Sequence, residues 1–260
     1  MSESAHARVL LPTALLLCAI GGWEAAVRLT HTPHYILPAP SLIATTLVQN
    51  FDSLAGSWLF TLEIAFGALL LVVIGGVLSA ALFALCRPIE LALFPFAVLL
   101  QVTPIVAITP LLLIYVQSTT ATLLICAWMV AFFPILSNTV LGLRSADPNL
   151  QDLFSLYRAS ASQRLRWLLI PTALPYFLGG LRISGGLALI GAVVAEFTAG
   201  AAGRETGLAS RILEASFRSD MPRMYAALTL ILLTGVAIFA LFSGLSRLLL
   251  GRWHASLRRG

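Results

Sequence analysis

Long apolar runs, each near the length that crosses a bilayer, alternate along this chain with short polar joints. An apolar stretch of about 20 residues spans the ~30 Å hydrocarbon core as a helix. On that measure the runs predict six spans: Leu10–Leu29, Thr61–Cys86, Leu91–Val116, Thr119–Leu143, Leu174–Ala199 and Met224–Leu250. Segments of alternating polarity, which would mark a membrane barrel, are missing from the pattern. Helices and closed barrels are the structures that satisfy their own backbone in lipid, so the expected fold is all-α and polytopic. The chain then divides into an N-terminal span with an extracytoplasmic connecting segment (1–60), a core of spans (61–250) and a short tail (251–260).

One interruption differs from the other joints. Residues 144–171 hold Arg144, Asp147, Asp152, Arg158, Arg164 and Arg166, whereas the 53 residues before them, Leu91 to Leu143, carry no charge. Asp147-Pro148 reads as a helix start, with Asp as N-cap and Pro at the first helical position. A second apolar-periodic stretch runs from Trp167 through Leu168, Leu169 and Ile170 to Pro171, and the small residues Ala159-Ser160-Ala161-Ser162 separate the two. Two short helices joined at a tight turn would present Leu153, Phe154, Leu156 and Tyr157 beside Asp152 and Arg158. Composition alone favours a solvated loop. The gathering of charge into one internal segment points instead to a meeting place with a soluble partner.

Composition agrees with the membrane assignment: 59% of residues are hydrophobic and 10% charged, against roughly 45–50% and about 25% in soluble domains. With a cytoplasmic amino terminus, ten arginines fall on the inside and five outside, with Arg182 left within a span, in line with the positive-inside bias. A cleaved leader fits the first run less well, because no small-residue cleavage site follows Trp23 and Glu24. The sixteen basic residues are all arginine, and a phosphate loop of the G-x-x-x-x-G-K-[ST] type needs lysine. ATP chemistry therefore belongs to another chain. His6, His31, His34 and His254 lie outside the spans, and Cys18, Cys86 and Cys126 are widely spaced, so no metal site, cofactor or catalytic residue is expected.

The spans contain candidate chemistry of their own. Gly180, Ser184, Ala188 and Ala192 recur every four residues and form a packing stripe, within one subunit or along a pathway. Pro95, Pro104 and Pro110 should break the third span; broken helices often border transport sites, which makes Gln101, Thr103, Pro104 and Pro110 candidates for pathway lining. Arg182 and Glu196 are candidates for gating or anchoring. They lie about 21 Å apart along one helix and cannot pair, and each is expected to snorkel toward the nearer helix end. Glu24 and Glu63 have structural roles near the surface. Amphipathic stretches, one beginning at Pro40-Ser41 and one with Leu208, Ile212, Ala215 and Phe217 against Arg204, Arg211, Glu214, Arg218 and Asp220, are expected at the outer interface.

The polar segment resembles the cytoplasmic signature of the membrane subunits of bacterial ABC importers, E-A-A, three residues, G, nine residues, I-x-L-P. Asp152-Leu153-Phe154 takes the triplet, Arg158 the glycine place, and Leu168-Leu169-Ile170-Pro171 the end. The spacing matches while Asp, Leu-Phe and Arg replace Glu, Ala-Ala and Gly, which leaves the geometry of the turn open. Leu37-Pro38-Ala39-Pro40-Ser41, Thr103-Pro104-Ile105-Val106-Ala107 with Thr109-Pro110-Leu111, Leu174-Pro175-Tyr176, Gly180-Leu181-Arg182 and Val194-Ala195-Glu196 are similar to segments of the nitrate, sulfonate and taurine permeases.

The resemblance implies a non-catalytic, multi-pass permease subunit of a bacterial inner membrane, both termini cytoplasmic, for a sulfonate, taurine, nitrate or a heterocyclic nutrient precursor. Its implied partners are cytoplasmic ATP-binding subunits, an extracytoplasmic solute-binding protein, membrane lipid and a second permease copy, most simply as a homodimer; nucleic acid is not among them. Asp152, Leu153, Phe154, Tyr157, Arg158, Ala159 and Ser160 would form the ATPase-coupling surface. The rival function is a stand-alone, ion-coupled secondary transporter, which would call for an internal repeat and midplane acidic or histidine residues; the pattern offers no repeat.

Overall fold

The computed structural model describes residues 5–200 and 206–251, with side chains from Leu10 onward. The expected tail beyond Gly251, the loop residue Arg204 and the side chains of His6 and Arg8 lie outside the described residues. In chain order the elements are α1 (Ala5–Leu29), α2 (Pro40–Gln49), α3 (Phe51–Leu85), α4 (Arg87–Val102), α5 (Ile105–Val116), α6 (Thr119–Arg144), α7 (Pro148–Leu156), α8 (Ala161–Arg164), a π-helical turn (Leu165–Leu169), α9 (Ile170–Ala199), α10 (Leu208–Phe217) and α11 (Met221–Leu250). No strand occurs among the described residues.

Five helices are long and apolar enough to cross a membrane, and α4 with α5, bent by 102° at their break, makes a sixth when the pair is counted as one broken span. Of the three prolines expected to break this span, only Pro104 does so. It lacks the donor that would continue α4 and pushes Thr103 into an extended conformation (φ −69°, ψ 122°). Pro95 and Pro110 sit inside helices, as prolines do in membrane helices where neighbours make up the lost bond. The bent pair still traverses the bundle. At one end Glu90 of α4 accepts from Arg144, the last residue of α6, and further along Thr109 of α5 meets Cys126, near the other end of α6, at 3.4 Å.

The helix containing Thr61 begins ten residues earlier than the hydrophobic run suggested, at Phe51. Nothing between Asn50 and Thr61 stops a helix, and its 35 residues extend about 52 Å, well beyond the hydrocarbon thickness. Its first turns pack with α10 and α11 around Leu54, Leu208, Ile212, Ala226, Ala227 and Leu230. Trp58 Nε1 donates to Thr234 Oγ1 at 2.8 Å in the same region. Phe217, expected on the buried face of α10, is exposed, because it lies at the helix end, where the chain turns toward α11.

The core is the pair α6 and α9 with α3 laid against both. Glycines set how closely α6 and α9 approach. A Cβ on Gly191 would stand 2.8 Å from Ala127 Cα, and one on Gly180 2.8 Å from the Pro134 carbonyl oxygen. Ser184 Oγ donates to the Ala131 carbonyl at 2.7 Å, and Ala188 and Ala192 are buried. The small-residue stripe of α9 is therefore spent on α6 of the same chain. At the periphery, Glu24 of α1 accepts from Arg28 Nε at 2.6 Å, Ser41 N at 2.9 Å and Ser41 Oγ at 2.8 Å. A carboxylate supplied by α1 thus caps the start of α2, where the backbone offers unpaired N–H groups.

Candidate functional site

The polar segment folds as the sequence pattern expects, two short helices around a tight turn. Asp147 Oδ1 accepts from Asn149 N at 2.8 Å and Pro148 opens α7. At the other end Arg158 N donates to the Ser155 carbonyl at 3.0 Å and Ala159 N to the Phe154 carbonyl at 2.9 Å. This is the helix-ending motif in which one residue adopts the left-handed conformation, usually a glycine. Here that residue is Arg158, with φ +51°. The departure from the family's glycine keeps the turn, at the cost of placing a side chain where glycine is favoured by about 1 kcal/mol.

The next helix starts with a reciprocal cap. Ser160 N donates to Gln163 Oε1 at 2.8 Å and Gln163 N to Ser160 Oγ at 3.3 Å. Arg164 then ties the two helices together through the Gln151 carbonyl (3.1 Å) and Ser155 Oγ (2.9 Å). Ser-x-x-Gln is a legible capping signature, and it locates α8; the cross-link by Arg164 had no such signal. Arg144, grouped by sequence with the docking charges, belongs elsewhere, since it is held by Glu90, which also accepts from Arg87.

What remains free on this element is an apolar tip with charge beside it. Leu153 and Tyr157 are 45% and 78% exposed, and Trp167 is 65% exposed. Together with Phe154, Ala159 and Gln163 they line a groove of about 370 Å³. Arg166 lies over the Trp167 ring at 5.2 Å. Asp152 and Arg158 are exposed, and no ion pair among the described residues engages either one. The structure thus gathers all seven predicted coupling residues on one element, and adds Gln163, Arg164 and Trp167.

The other candidates fall into three separate places. Gln101, Thr103 and Pro104 sit at the break between α4 and α5, where Thr103 Oγ1 returns a hydrogen bond to the Leu99 carbonyl at 2.6 Å. Pro110 is exposed on α5, beside a fully buried Thr109. On α9, Ser184 faces inward to α6, while Arg182 faces outward with its guanidinium 5.5 Å from the Phe239 ring centroid.

Glu196 contradicts the snorkelling expectation. It is 1% exposed and accepts from Thr61 Oγ1 at 2.8 Å and from Ala209 N at 3.0 Å. Thr61 Oγ1 in turn accepts from Leu208 N at 2.9 Å. The chain after α9 folds back so that the first turn of α10 offers its unpaired N–H groups to the carboxylate. No residue pattern in α9 alone announces this, because its partners lie on α3 and α10. At the end of the bundle opposite the polar segment, Asn50, Ser53, Arg211, Glu214, Arg218, Asp220 and Arg223, with Leu54 and Ala215, surround a cavity of about 270 Å³, braced by Arg211 Nε on Ser57 Oγ at 2.9 Å and Arg223 Nη2 on Asn50 Oδ1 at 2.9 Å.

The family of binding-protein-dependent transport system inner membrane components matches residues 72–254. The riboflavin transport system permease protein RibX of Chloroflexus aurantiacus is 35% identical over 95% of this chain and 90% of its own length. The formylaminopyrimidine transport permease protein ThiX of Halalkalibacterium halodurans is 32% identical over 94% and 96%. Among solved structures, an amino acid ABC transporter chain matches at TM-score 0.63 and 16% identity, over 78% of this chain and 97% of that one, a likeness of fold.

Proposed function

Because the chain belongs to the family of binding-protein-dependent transport system inner membrane components, we propose that it is the permease through which an ABC importer takes up a planar heterocyclic nutrient or its precursor. It is a multi-pass inner-membrane subunit of such an importer; the ion-coupled alternative has no support in the family. The heterocyclic cargo follows from the two full-length relatives that carry riboflavin and a formylaminopyrimidine, whereas the permease protein of aliphatic sulfonate transport in Bacillus subtilis is 27% identical.

In this reading the segment 144–171 is cytoplasmic and both termini are too. Asp152, Leu153, Phe154, Tyr157, Arg158, Ala159 and Ser160 enter a cleft on a separate ATPase subunit, two copies of the chain pair as a homodimer within the lipid, and the solute-binding protein meets the outer rim around α10. Gln101, Thr103, Pro104, Pro110 and Arg182 are the residues proposed to line the pathway, while the buried Ser184 and Glu196 are proposed to act on its gating only through the helices they hold to α9. Closure of the ATPase pair on ATP would then be passed to the spans as a rigid-body motion.

The observation that carries the coupling role is the braced tip itself: an apolar surface and an unpaired Arg158 held outward by Arg164 and two caps. The test is to replace Arg158 with Glu and, separately, Tyr157 with Asp, and to measure recovery of the ATPase with the permease and cargo uptake. Losing one member of a desolvated charge pair costs about 2 to 5 kcal/mol, so recovery and uptake should both collapse while the permease still inserts. Variants that retain the ATPase and transport like the parent would reduce the segment to a solvated connection.

A further inference from the structure

Arg182 sits deep in the bilayer and does not reach for its edge. It lies twelve residues past Ile170 in the 30-residue helix α9, about 18 Å along an axis of about 45 Å. Centred on a ~30 Å hydrocarbon core, that places its Cα roughly 10 Å inside the nearer boundary. The contacts between α9 and α11 give its register. Gly185 faces Phe242 and Ile238, and Gly235 faces Leu189, so the level of Arg182 falls opposite Phe242 and Ser243. Its guanidinium instead lies over Phe239, about one turn further toward the middle of the bilayer. A helical side chain leans toward its own N-terminus by default, and a snorkelling arginine of α9 would do so too. Arg182 leans the opposite way.

Nothing inside the chain explains that cost. Arg182 is exposed and forms no ion pair among the described residues. Gly179 and Gly186 lie on the same side of the helix, three residues before and four after it, and a Cβ at either would meet nothing within 4 Å. Packing within the chain does not require glycine at these places. Gly186 lies one turn along, on the side toward which the guanidinium leans, and leaves bare backbone near a cation 5.5 Å from the Phe239 ring centroid.

Resting on the cargo class proposed above, we infer that Arg182, 5.5 Å from the Phe239 ring centroid and with bare backbone at Gly186 one turn along, is a contact site for the planar heterocyclic cargo during its passage. The cargo ring stacks on the guanidinium plane, and its carbonyl or imine edge accepts from the N–H groups that stacking leaves free. An ammonium offers neither the plane nor the fork.

The test uses the reconstituted complex of permease, ATPase and binding protein, with riboflavin, a formylaminopyrimidine and an alkanesulfonate as probe cargoes. Variants are Arg182→Lys, Arg182→Gln, Phe239→Leu and Gly186→Leu, the last adding bulk at a place where a Cβ meets nothing within 4 Å. Uptake of the heterocycle should fall about tenfold in both arginine variants and in Gly186→Leu, and less in Phe239→Leu. Recovery of the ATPase with the permease and the melting temperature of the complex should stay at the parent's level, which separates a lost cargo contact from a misfolded subunit. Full uptake by Arg182→Lys would make the site one for charge alone and overturn the inference, as would parent-like uptake in all four variants. A parent that moves only the sulfonate would overturn the cargo class itself.

Discussion

Gly207 is the residue at which the outer latch can be tested most directly. A Cβ there would overlap the carboxylate of Glu196, although the backbone of Gly207 (φ −80°, ψ −174°) suits any residue. The penalty of Gly207→Ala is therefore steric and falls on the carboxylate, which cannot move without leaving Thr61 Oγ1 and Ala209 N. Hydrogen bonds to a charged group are worth about 1.5 to 3 kcal/mol each, and the unpaired groups would remain in a buried site. The cheapest escape is for the first turn of α10 to lift, at about 3 to 5 kcal/mol. Amide exchange at Leu208 and Ala209 should then speed up by about 10² to 10³-fold in membrane-embedded protein, with little change in the amides of α6. A double variant gives the decisive comparison. Glu196→Ala removes the group that Gly207→Ala collides with, so the pair should be no worse than Glu196→Ala alone. Additive losses in the double variant, or unchanged exchange in Gly207→Ala, would refute the latch.

The pair at the opposite rim should behave more mildly. Arg144 is partly exposed, and Arg87 Nη1 still donates to Glu90 at 2.9 Å, so Arg144→Ala should cost about 1 kcal/mol, read as a small fall in thermal stability that high salt makes smaller still. A loss several times larger would show that Glu90 depends on Arg144 alone. Gly191→Ala should cost about 1 to 3 kcal/mol, because the added methyl meets backbone at Ala127 and two helices must part to receive it. Gly244→Ala, with open space at its Cβ, is the matched comparison and should leave the melting temperature unchanged.

Much of what one helix or one local turn decides is legible in the sequence, although Pro95 and Pro110 leave their helices intact and α3 starts ten residues before its apolar run. The apolar runs set the spans, Asp147-Pro148 set the start of α7, and Pro104 broke the third span, because each effect is confined to a few neighbouring residues. The spacing around Arg158 located the tip, yet the residue's identity argued against a left-handed turn that the flanking hydrogen bonds impose. Sequence reasoning failed where partners are remote in the chain. In α9 alone Glu196 reads as a gating or anchoring carboxylate that snorkels toward the helix end, while its donors come from Thr61, 135 residues away, and from α10. Arg144 was grouped with its sequence neighbours, although its partner Glu90 is 54 residues upstream. The direction in which Arg182 leans depends on the register of α11, which no periodicity in α9 contains.

These remote contacts converge on α9. Its first residue follows the π-helical turn that joins it to the docking tip, and near its last turn Glu196 holds the start of α10. Between those ends, glycine and alanine bring its backbone against α6 closely enough that Gly191 and Gly180 leave no room for a methyl group, so the helix and its partner must move as one body rather than slide or bend. The wide π-helical turn is the weakest point in that line, since its hydrogen bonds span five residues and its geometry is the one proteins use sparingly. A displacement of the tip by an ATPase would therefore be absorbed first at Leu165–Leu169. What passes that joint would travel the length of α9 with Arg182 midway and arrive at the carboxylate that holds α10. In the proposed importer, α9 is accordingly the element through which the cytoplasmic dock, the cargo contact and the outer rim act on one another.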